Sequence, residues 1–330
     1  MSNRLAAFVT PSSSIDRAVD RVRLLEKLGY EAVFATHIAQ RDALAVMTAY
    51  GAGTERIKVG TGVLPAFPRH PVALATEAAT IDEMIGGRLI LGLGMAHRVT
   101  MENWYGIDME KPLSRFKEYV SIVRSILRDG RVEHEGEFYR SRFAFMGYQA
   151  RADLPIYTAS LGPNSLRWAG AFADGVVLWS CMPTYIRSVV IPAIREGAES
   201  AGRDPSEVEI VAAVPVALAE DLDAARDGFR REFFTYMTLP FYRSAIAGAG
   251  YGEEIAAFDA ALGRGDTDGA RSAISERMLA EFIGIGDQEA VRAKVAEYRD
   301  AGVTLPAVGS IGVPKDAGPS PDATFEAVIG

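Results

Sequence analysis

The sequence lacks the features that mark several classes of protein. Cys181 is its single cysteine, so no disulfide can form within the chain. The 43 Asp and Glu residues outnumber the 35 Lys and Arg residues, which gives a formal net charge of −8, and no basic run offers a nucleic-acid surface. The longest apolar stretches, such as 210–219, are far shorter than the ~20 residues that a membrane span needs. We therefore expect neither nucleic acid nor membrane as a partner.

Signals for metal binding, hydrolysis and export are also missing. The four histidines are His37, His70, His97 and His134. They lie far apart and form no i,i+4 pair, so we expect no metal site. Ser160 lacks the flanking glycines of a G-x-S-x-G nucleophile turn. The N-terminal apolar patch is too short for a secretory signal, which together with the lone cysteine predicts a cytoplasmic protein.

Short apolar runs alternate with amphipathic helical stretches along the whole chain. Runs that are apolar at nearly every position are typical of parallel strands buried on both faces. The predicted strands are 5–10, 31–36, 57–64, 89–94, 155–160, 175–180, 208–218 and 305–312. The predicted helices are 15–28, 43–52, 72–85, 112–128, 164–172, 185–201, 221–234 and 287–301. Eight strands separated by helices predict an α/β protein with a (β/α)8 TIM barrel, as a single domain over 1–330.

Two stretches interrupt this alternation. Residues 131–146 alternate in polarity around Glu135 and Gly136, which predicts a hairpin inserted before strand five. Residues 233–275, after strand seven, form a longer insertion that is rich in glycine and aromatic residues. Long insertions without regular structure often cover an active site, so we predict a lid. The alternative is a surface excursion that packs its own aromatic side chains.

The carboxyl ends of the predicted strands carry small or polar residues. These are Thr10, Thr36 with His37, the stretches 60–62 and 92–94, Ser160, Ser180 and Ser310. In a parallel barrel such ends share one face, where active sites form. Small residues there leave room for a flat ligand, although glycine and serine also end strands for purely local reasons.

The turn from Ser160 to Ser165 joins a strand to a helix. Gly162 allows an open turn, and Pro163 suits the first turn of the helix. The free N–H groups of such a helix N-terminus can bind a phosphate. The same residues also describe a well-capped helix without a ligand.

Two neighbouring stretches identify a family. Within residues 57–71, a predicted strand ends in Gly-Thr-Gly and a loop with several prolines follows it. An Asp-Glu-x-x-Gly-Gly-Arg element spans Asp82 to Arg88. Both resemble the bacterial luciferase-like oxidoreductases, (β/α)8 barrels that bind FMN or the deazaflavin coenzyme F420. The resemblance covers about the first 180 residues well and residues 281–312 moderately, and it is poor through 233–275. It implies a flavin-like cofactor, a small-molecule substrate and a homodimer.

Within this family the F420-dependent branch is the most similar. The segment from Thr36 to Asp42 resembles the one after strand two in methylenetetrahydromethanopterin reductases, except that Thr36 stands in the place of an Asp. The resemblance implies that His37 lies on the cofactor side and is a catalytic candidate. It also implies a cis peptide bond between Gly62 and Val63, behind the cofactor ring.

The same resemblance implies the remaining cofactor-binding residues. A phosphate-binding turn corresponds to Ser160, Leu161, Gly162, Pro163 and Asn164. The expected cofactor contacts near the ring also include Thr36, Thr61 and Ala96.

His97 stands where F420-dependent relatives often carry an acidic residue that protonates the substrate. Imidazole titrates near neutrality and can deliver a proton at working pH, so we predict that His97 is the acid/base partner of hydride transfer. The alternative is a loop histidine bonded to the backbone or to the cofactor tail. Three arginines on neighbouring segments could neutralise an anionic cofactor tail: Arg41, Arg69 and Arg98.

Three functions remain open from the sequence. The first is an F420-dependent oxidoreductase that transfers a hydride between the reduced deazaflavin and a small organic substrate. The second is an FMN-dependent monooxygenase, which uses reduced flavin and oxygen and needs a flavin reductase as a partner. The third is a barrel that binds a flavin-like ligand without turnover, since a fold alone does not imply a function.

Overall fold

The computed structural model describes residues 4–37, 41–311 and 318–329. Its strands are β1 (Ala6–Phe8), β2 (Ala32–Ala35), β3 (Lys58–Thr61), β4 (Leu64–Pro65), β5 (Leu89–Gly94), β6 (Arg131–Glu135), β7 (Arg140–Ala144), β8 (Ile156–Ala159), β9 (Gly175–Leu178), β10 (Glu209–Leu218), β11 (Gly284–Gly286) and β12 (Leu305–Ser310).

The first eight α-helices are α1 (Ile15–Lys27), α2 (Ala43–Ala52), α3 (Pro71–Met84), α4 (Arg98–Tyr105), α5 (Pro112–Asp129), α6 (Pro163–Phe172), α7 (Pro183–Tyr185) and α8 (Ile191–Ser200). The others are α9 (Leu222–Phe233), α10 (Pro240–Gly248), α11 (Gly252–Gly263), α12 (Thr267–Ser272), α13 (Glu276–Phe282), α14 (Gln288–Asp300) and α15 (Pro321–Ile329). In the described ranges, no helix is both long and apolar enough to cross a membrane.

All eight predicted strands are present, as β1, β2, β3, β5, β8, β9, β10 and β12. Neighbouring strands pair in the order β10, β12, β1, β2, β3, β5, β8, β9, and β9 also pairs with β10, so the eight strands form a closed ring. The pairs β2 with β3 and β10 with β12, for example, are parallel. The predicted (β/α)8 barrel is therefore confirmed. Two short strands, β4 beside β5 and β11 beside β10, were not predicted, and the predicted strand end at 312 lies outside the described residues.

The chain divides into two compact units. Unit 1 comprises Met1–Phe8, Ser160–Phe172 and Leu178–Gly330, and unit 2 comprises Val9–Ala159 and Ala173–Val177. Each unit has a buried apolar interior of its own. The prediction of one domain over the whole chain stays a prediction.

The two insertions have different outcomes. In unit 2, β6 and β7 pair antiparallel from Arg131 opposite Ala144 to Glu135 opposite Arg140, which confirms the hairpin. In unit 1, the stretch 233–275 is not irregular as expected but contains α10, α11 and α12. Glycines interrupt these helices every few residues, which hides their periodicity in the sequence. The insertion buries its own aromatic side chains, among them Phe233, Tyr242 and Phe258. This is what the alternative interpretation, a surface excursion, predicts. A lid function stays a prediction.

The Asp-Glu-x-x-Gly-Gly-Arg element anchors the start of β5 in unit 2. The guanidinium of Arg88 donates to the carbonyl oxygens of Ile85 (2.8 Å), Ile57 (2.8 Å), Gly51 (2.6 Å) and Thr54 (3.0 Å). These carbonyls belong to the ends of α2 and α3 and to the residue before β3. One partly buried side chain therefore links two helix ends to two neighbouring strands.

Asp82, the first residue of the element, also fixes the start of β5 through hydrogen bonds. Asp82 is almost fully buried, and its Oδ1 accepts the N–H of Leu89 at 3.0 Å. Both carboxylate oxygens also accept hydrogen bonds from Arg151, at 2.8 and 2.9 Å. The family signature is thus a structural motif that fixes where β5 begins.

Candidate cofactor site

The N-terminus of α2 holds His37 in a defined protonation state. Asp42 caps the helix, and its Oδ1 accepts the N–H of Ala45 at 3.1 Å. The N–H of Ala43 donates instead to Nδ1 of His37 at 3.1 Å. Because this bond uses the lone pair of Nδ1, the ring proton of the neutral imidazole lies on Nε2. His37 therefore has one N–H group, at Nε2, to offer to a ligand.

The surroundings of His37 favour the neutral ring. Its side chain is 12% exposed, and this burial lowers the pKa of His37 below its ordinary value. The Asp42 carboxylate, with Oδ2 3.8 Å from Nδ1, acts in the opposite direction, while the positive charge of Arg69 lowers the pKa further. The net direction is downward, so His37 is neutral at pH 7.

Arg69 connects Asp42 to the neighbouring helix. Its Nη2 donates to Oδ2 of Asp42, and its Nε lies 3.2 Å from Oε2 of Glu77 on α3. Burial alone would raise the pKa of Asp42, but the hydrogen bond from Ala45 and the charge and hydrogen bond of Arg69 outweigh it and lower the pKa. Asp42 is thus ionised, with both oxygens engaged.

Thr36, the residue at the carboxyl end of β2, is paired with Thr10. The N–H of Thr36 donates to Oγ1 of Thr10 at 3.2 Å, and the two hydroxyl oxygens lie 3.1 Å apart. The pair ties the ends of neighbouring segments of unit 2 together beside His37. Both threonines are half-buried, so they remain candidates for contact with a cofactor.

The peptide bond between Gly62 and Val63 is cis, as the family resemblance implied. Two glycines of β5 accommodate this turn. A Cβ on Gly94 would lie 2.7 Å from Cγ2 of Val63, and a Cβ on Gly92 would lie 1.9 Å from the carbonyl oxygen of Thr61. Glycine is therefore required at both positions for the close approach of Thr61 and Val63, and room for a flat ligand at the strand ends stays a prediction.

The side chain of Thr61 bridges two strands. It is fully buried, its hydroxyl donates to the carbonyl of Gly92 at 2.6 Å, and it accepts the N–H of Gly92 at 2.9 Å. The hydroxyl proton is therefore already used within the protein. The side chain of Thr61 thus holds β3 against β5, and contact of this residue with the cofactor stays a prediction.

After β5 the backbone turns sharply at Ala96. Its φ is +59°, a left-handed conformation that costs a non-glycine residue roughly 1–2 kcal/mol. The turn sets His97 at the start of α4, where its side chain makes no capping hydrogen bond to the helix. The imidazole is half-buried, and this desolvation lowers the pKa of His97.

The predicted phosphate turn lies in unit 1 at the start of α6. The hydroxyl of Tyr185 donates to the carbonyl of Leu161 at 2.9 Å, and the hydroxyl of Ser165 donates to the carbonyl of Gly162 at 2.8 Å. Both bonds hold the turn open at Gly162, where the nearest atom to an added Cβ would be Oγ of Ser165, at 3.8 Å. Space therefore exists above Gly162 beside the first N–H groups of a ten-residue helix that begins at Pro163.

The outer residues of this turn have different environments. Ser160 is 6% exposed, whereas Asn164 lies near the surface. Oδ1 of Asn164 accepts a hydrogen bond from Arg167 at 3.2 Å, and Arg167 also contacts Glu196 at 2.6 Å. The side chain of Asn164 is thus already hydrogen-bonded to another residue of α6.

The three arginines expected to neutralise a cofactor tail are bound within the protein. Arg41 donates to the carbonyl of Pro11 at 2.9 Å, and Arg98 donates to Glu102 at 2.5 Å and to the carbonyl of Met109 at 2.7 Å. Arg69 binds Asp42 as described above. Each guanidinium thus has an acceptor within the protein, and its role toward a cofactor tail stays a prediction.

Two functional residues were missed as partners of His37, namely Asp42 and Arg69. The sequence did contain one signal, since an Asp directly before a predicted helix at 43–52 is typical of an N-cap. No comparable signal pairs it with Arg69, which lies 27 residues further along the chain. In the described part of the chain, no group of three or more His, Cys, Asp and Glu side chains is placed to hold a metal ion.

Comparison with known proteins agrees with this geometry. The sequence model of the family described as luciferase-like monooxygenase matches residues 1–305. The chain belongs to this family. As a luciferase-like oxidoreductase it is 30% identical over 305 residues to a 5,10-methylenetetrahydromethanopterin reductase of Methanolobus tindarius, covering 91% of this chain and 92% of that one.

Two further relatives have names that describe them as dependent on coenzyme F420. An F420-dependent glucose-6-phosphate dehydrogenase of Microbacterium testaceum is 31% identical over 221 residues, covering 63% of this chain and 66% of that one. The solved structure of the coenzyme F420-dependent tetrahydromethanopterin reductase of Methanopyrus kandleri superposes with a TM-score of 0.83 at 25% identity, covering 99% of this chain and 97% of that one. The fold of this luciferase-like protein is therefore shared along its whole length.

The bridging role of Thr61 is testable with two substitutions. Thr61→Val keeps the shape but leaves the N–H and carbonyl of Gly92 without their buried partner, so we expect the free energy of unfolding to fall by about 1–3 kcal/mol. Thr61→Ser keeps the hydroxyl and serves as the control, with a smaller loss. Chemical denaturation measures both. Full stability of Thr61→Val together with weakened cofactor binding would instead identify the hydroxyl as a ligand group.

Proposed function

We propose that this protein is a coenzyme F420-dependent oxidoreductase that transfers a hydride between the reduced deazaflavin and a small organic substrate. The observation that carries the proposal is the single N–H donor of His37, which Ala43 holds at Nε2. Two relatives that are named as F420-dependent, at 31% and 25% identity, support the deazaflavin as the cofactor. Their differing substrates leave the substrate of this chain open.

The residues of the site fit such a cofactor. A flavin-like ring carries carbonyl and nitrogen acceptors, which a neutral imidazole N–H can bind without adding charge. The cis peptide at Gly62–Val63 presents a closely packed wall, because β5 leaves no free space behind Val63. The open N-terminus of α6 suits a phosphate group of the cofactor. When bound, F420 supplies the hydride, and the protein supplies orientation, exclusion of water and the proton.

We assign the proton to His97. A carbonyl, imine or activated alkene that receives a hydride must also receive a proton, and a half-buried imidazole can deliver it. Desolvation keeps His97 mostly neutral at pH 7, ready to accept a proton when the substrate is oxidised. In the reductive direction the protonated form, a stronger acid because of its lowered pKa, donates it.

A second candidate keeps the same fold and uses FMN. The family description, luciferase-like monooxygenase, favours it. Reduced flavin would then react with oxygen in a dry pocket, and a flavin reductase would supply the reduced flavin. In either case we propose that the protein acts as a homodimer in the cytoplasm, as the sequence and the family resemblance imply.

The cofactor is testable by direct titration of the purified protein with F420 and with FMN, followed by ligand fluorescence and calorimetry. We expect micromolar binding of F420 and much weaker binding of FMN. Preference for FMN would contradict the proposal and favour the monooxygenase. F420 binding without hydride transfer to any of a broad panel of carbonyls, imines and activated alkenes would instead favour a non-catalytic carrier.

The role of His97 is testable by His97→Gln. Removing a general acid typically costs 10²–10⁴-fold, so we expect kcat to fall by about 100-fold or more while the Kd for F420 is unchanged. In the wild-type protein, acidification from pH 7 toward the lowered pKa of His97 increases its protonated fraction and thus the rate of reduction. The variant should lose this dependence. His70→Asn, which keeps an N-cap side chain at the exposed start of α3, is the control.

The phosphate turn is testable by Gly162→Ala. No protein atom obstructs a Cβ there, so stability should stay within about 0.5 kcal/mol of the wild-type value. A phosphate seated on the helix N-terminus would meet the new methyl group, so we expect the Kd for F420 to rise about tenfold or more, or roughly 1.4 kcal/mol.

Gly252→Ala is the matched control for this variant. It changes the first residue of α11, where a Cβ also meets nothing within 4 Å, and it should alter neither stability nor affinity. An unchanged Kd of Gly162→Ala for F420 would contradict the binding of a phosphate at this turn.

A further inference from the structure

His37 has two possible partners for Nδ1, and the structure selects one of them. Nδ1 accepts the N–H of Ala43 at 3.1 Å, while Oδ2 of Asp42 lies at 3.8 Å. The two partners demand opposite protonation. The amide requires a bare Nδ1, whereas a carboxylate at hydrogen-bond distance would require Nδ1–H. The choice between them decides whether Nε2 carries the proton.

The carboxylate of Asp42 does not compete because both of its oxygens are engaged. Oδ1 caps α2 through the N–H of Ala45, and Oδ2 accepts the hydrogen bond from Arg69. Arg69 is itself held from its other side, where Nε lies 3.2 Å from Oε2 of Glu77. The guanidinium therefore cannot easily leave Oδ2, and the carboxylate remains turned to it.

We propose that Arg69 is a positioning residue for His37: by occupying Oδ2 of Asp42 it leaves the Ala43 amide as the partner of Nδ1 and so keeps Nε2 as the hydrogen-bond donor. The use of the Nε2 donor in catalysis rests on the proposed function, whereas the tautomer of His37 can be measured in the protein without ligand. The charged groups that face the imidazole are Asp42 and Arg69. Arg69 acts on His37 both through Asp42 and through its own charge.

The consequence of removing Arg69 follows from these contacts. Without the guanidinium, Oδ2 of Asp42 becomes a free carboxylate oxygen next to Nδ1. An ionised carboxylate at this distance stabilises a proton on Nδ1, which either moves there from Nε2 or is added to make imidazolium. In the first case Nε2 loses its proton, and in the second its N–H belongs to a positively charged ring. The neutral Nε2–H donor is kept only while the ion pair is intact.

Nuclear magnetic resonance of histidine-labelled protein without ligand tests this directly. The chain has four histidines, so the ring signals of His37 are assigned by single substitutions. In the wild-type protein we expect an unprotonated Nδ1, a protonated Nε2 and a titration below the ordinary histidine value. In Arg69→Met we expect proton density on Nδ1 and an upward shift of the pKa of His37. Arg69→Lys, which restores a cation, should restore the wild-type spectrum in part.

Two further variants separate positioning from general damage. Asp42→Asn keeps a side chain that can cap α2 but removes the charge, so the double variant Asp42→Asn with Arg69→Met should return Nδ1 to the unprotonated state. Glu77→Gln removes one of the two carboxylates that hold Arg69 but leaves its guanidinium on Asp42, so it should alter the tautomer much less than Arg69→Met does. Thermal unfolding checks that each variant is folded.

Each outcome decides the matter. A protonated Nδ1 in Arg69→Met that reverts in the double variant supports the proposal. An unprotonated Nδ1 and an unchanged titration in folded Arg69→Met would overturn it, as would an equal effect of Glu77→Gln. Failure of F420 binding would refute the proposed function and leave the spectroscopic result standing, so the two failures are distinguishable.

Discussion

The arrangement of unit 2 depends on the hydrogen bonds of one partly buried guanidinium. Arg88 donates to backbone carbonyls at the ends of α2 and α3 and before β3, so it fixes where β3 and β5 start relative to each other. Once these starts are fixed, the parallel register brings the far ends of the strands together. There Thr61 bonds to Gly92, and Val63 packs against Gly94. The family signature thus acts on the site from the opposite end of the strands.

Much of this fold could be predicted from the sequence because its physical signals are local. Parallel strands buried on both faces appear as continuous apolar runs, and β5 was predicted with its observed bounds. The helix at 43–52 was predicted equally well. The short strand β11 and the helices α10 to α12 were missed. They are brief or interrupted by glycine, and their stability comes from aromatic packing between distant residues rather than from periodicity.

The site was predictable only in part, for a related reason. The position of His37 and the cis peptide at Gly62 followed from the family resemblance. The partners of the arginines did not, because Arg41 and Arg69 both lie on polar loops and differ only in what the fold brings near them. Arg41 meets backbone carbonyls, whereas Arg69 meets two carboxylates. Likewise, the sequence did not show that Gly92 is needed for the close approach of Thr61.

Burial is the largest cause of the lowered pKa at both site histidines. At His37 two fixed charges modify this effect, since Asp42 raises the pKa and Arg69 lowers it. Because the ion pair of Asp42 and Arg69 belongs to the protein itself, it lies beside Nδ1 of His37 before any ligand arrives. This suits the donor role that we propose for Nε2.

His97 is half-buried after the turn at Ala96. The pKa of such an imidazole falls when a ligand excludes water and rises when negative charge develops beside it, which is the response that a proton-transfer group requires. The fixed contacts at Nδ1 therefore support our proposal of a donor at His37, and the half-buried position of His97 supports its proposed part in proton transfer.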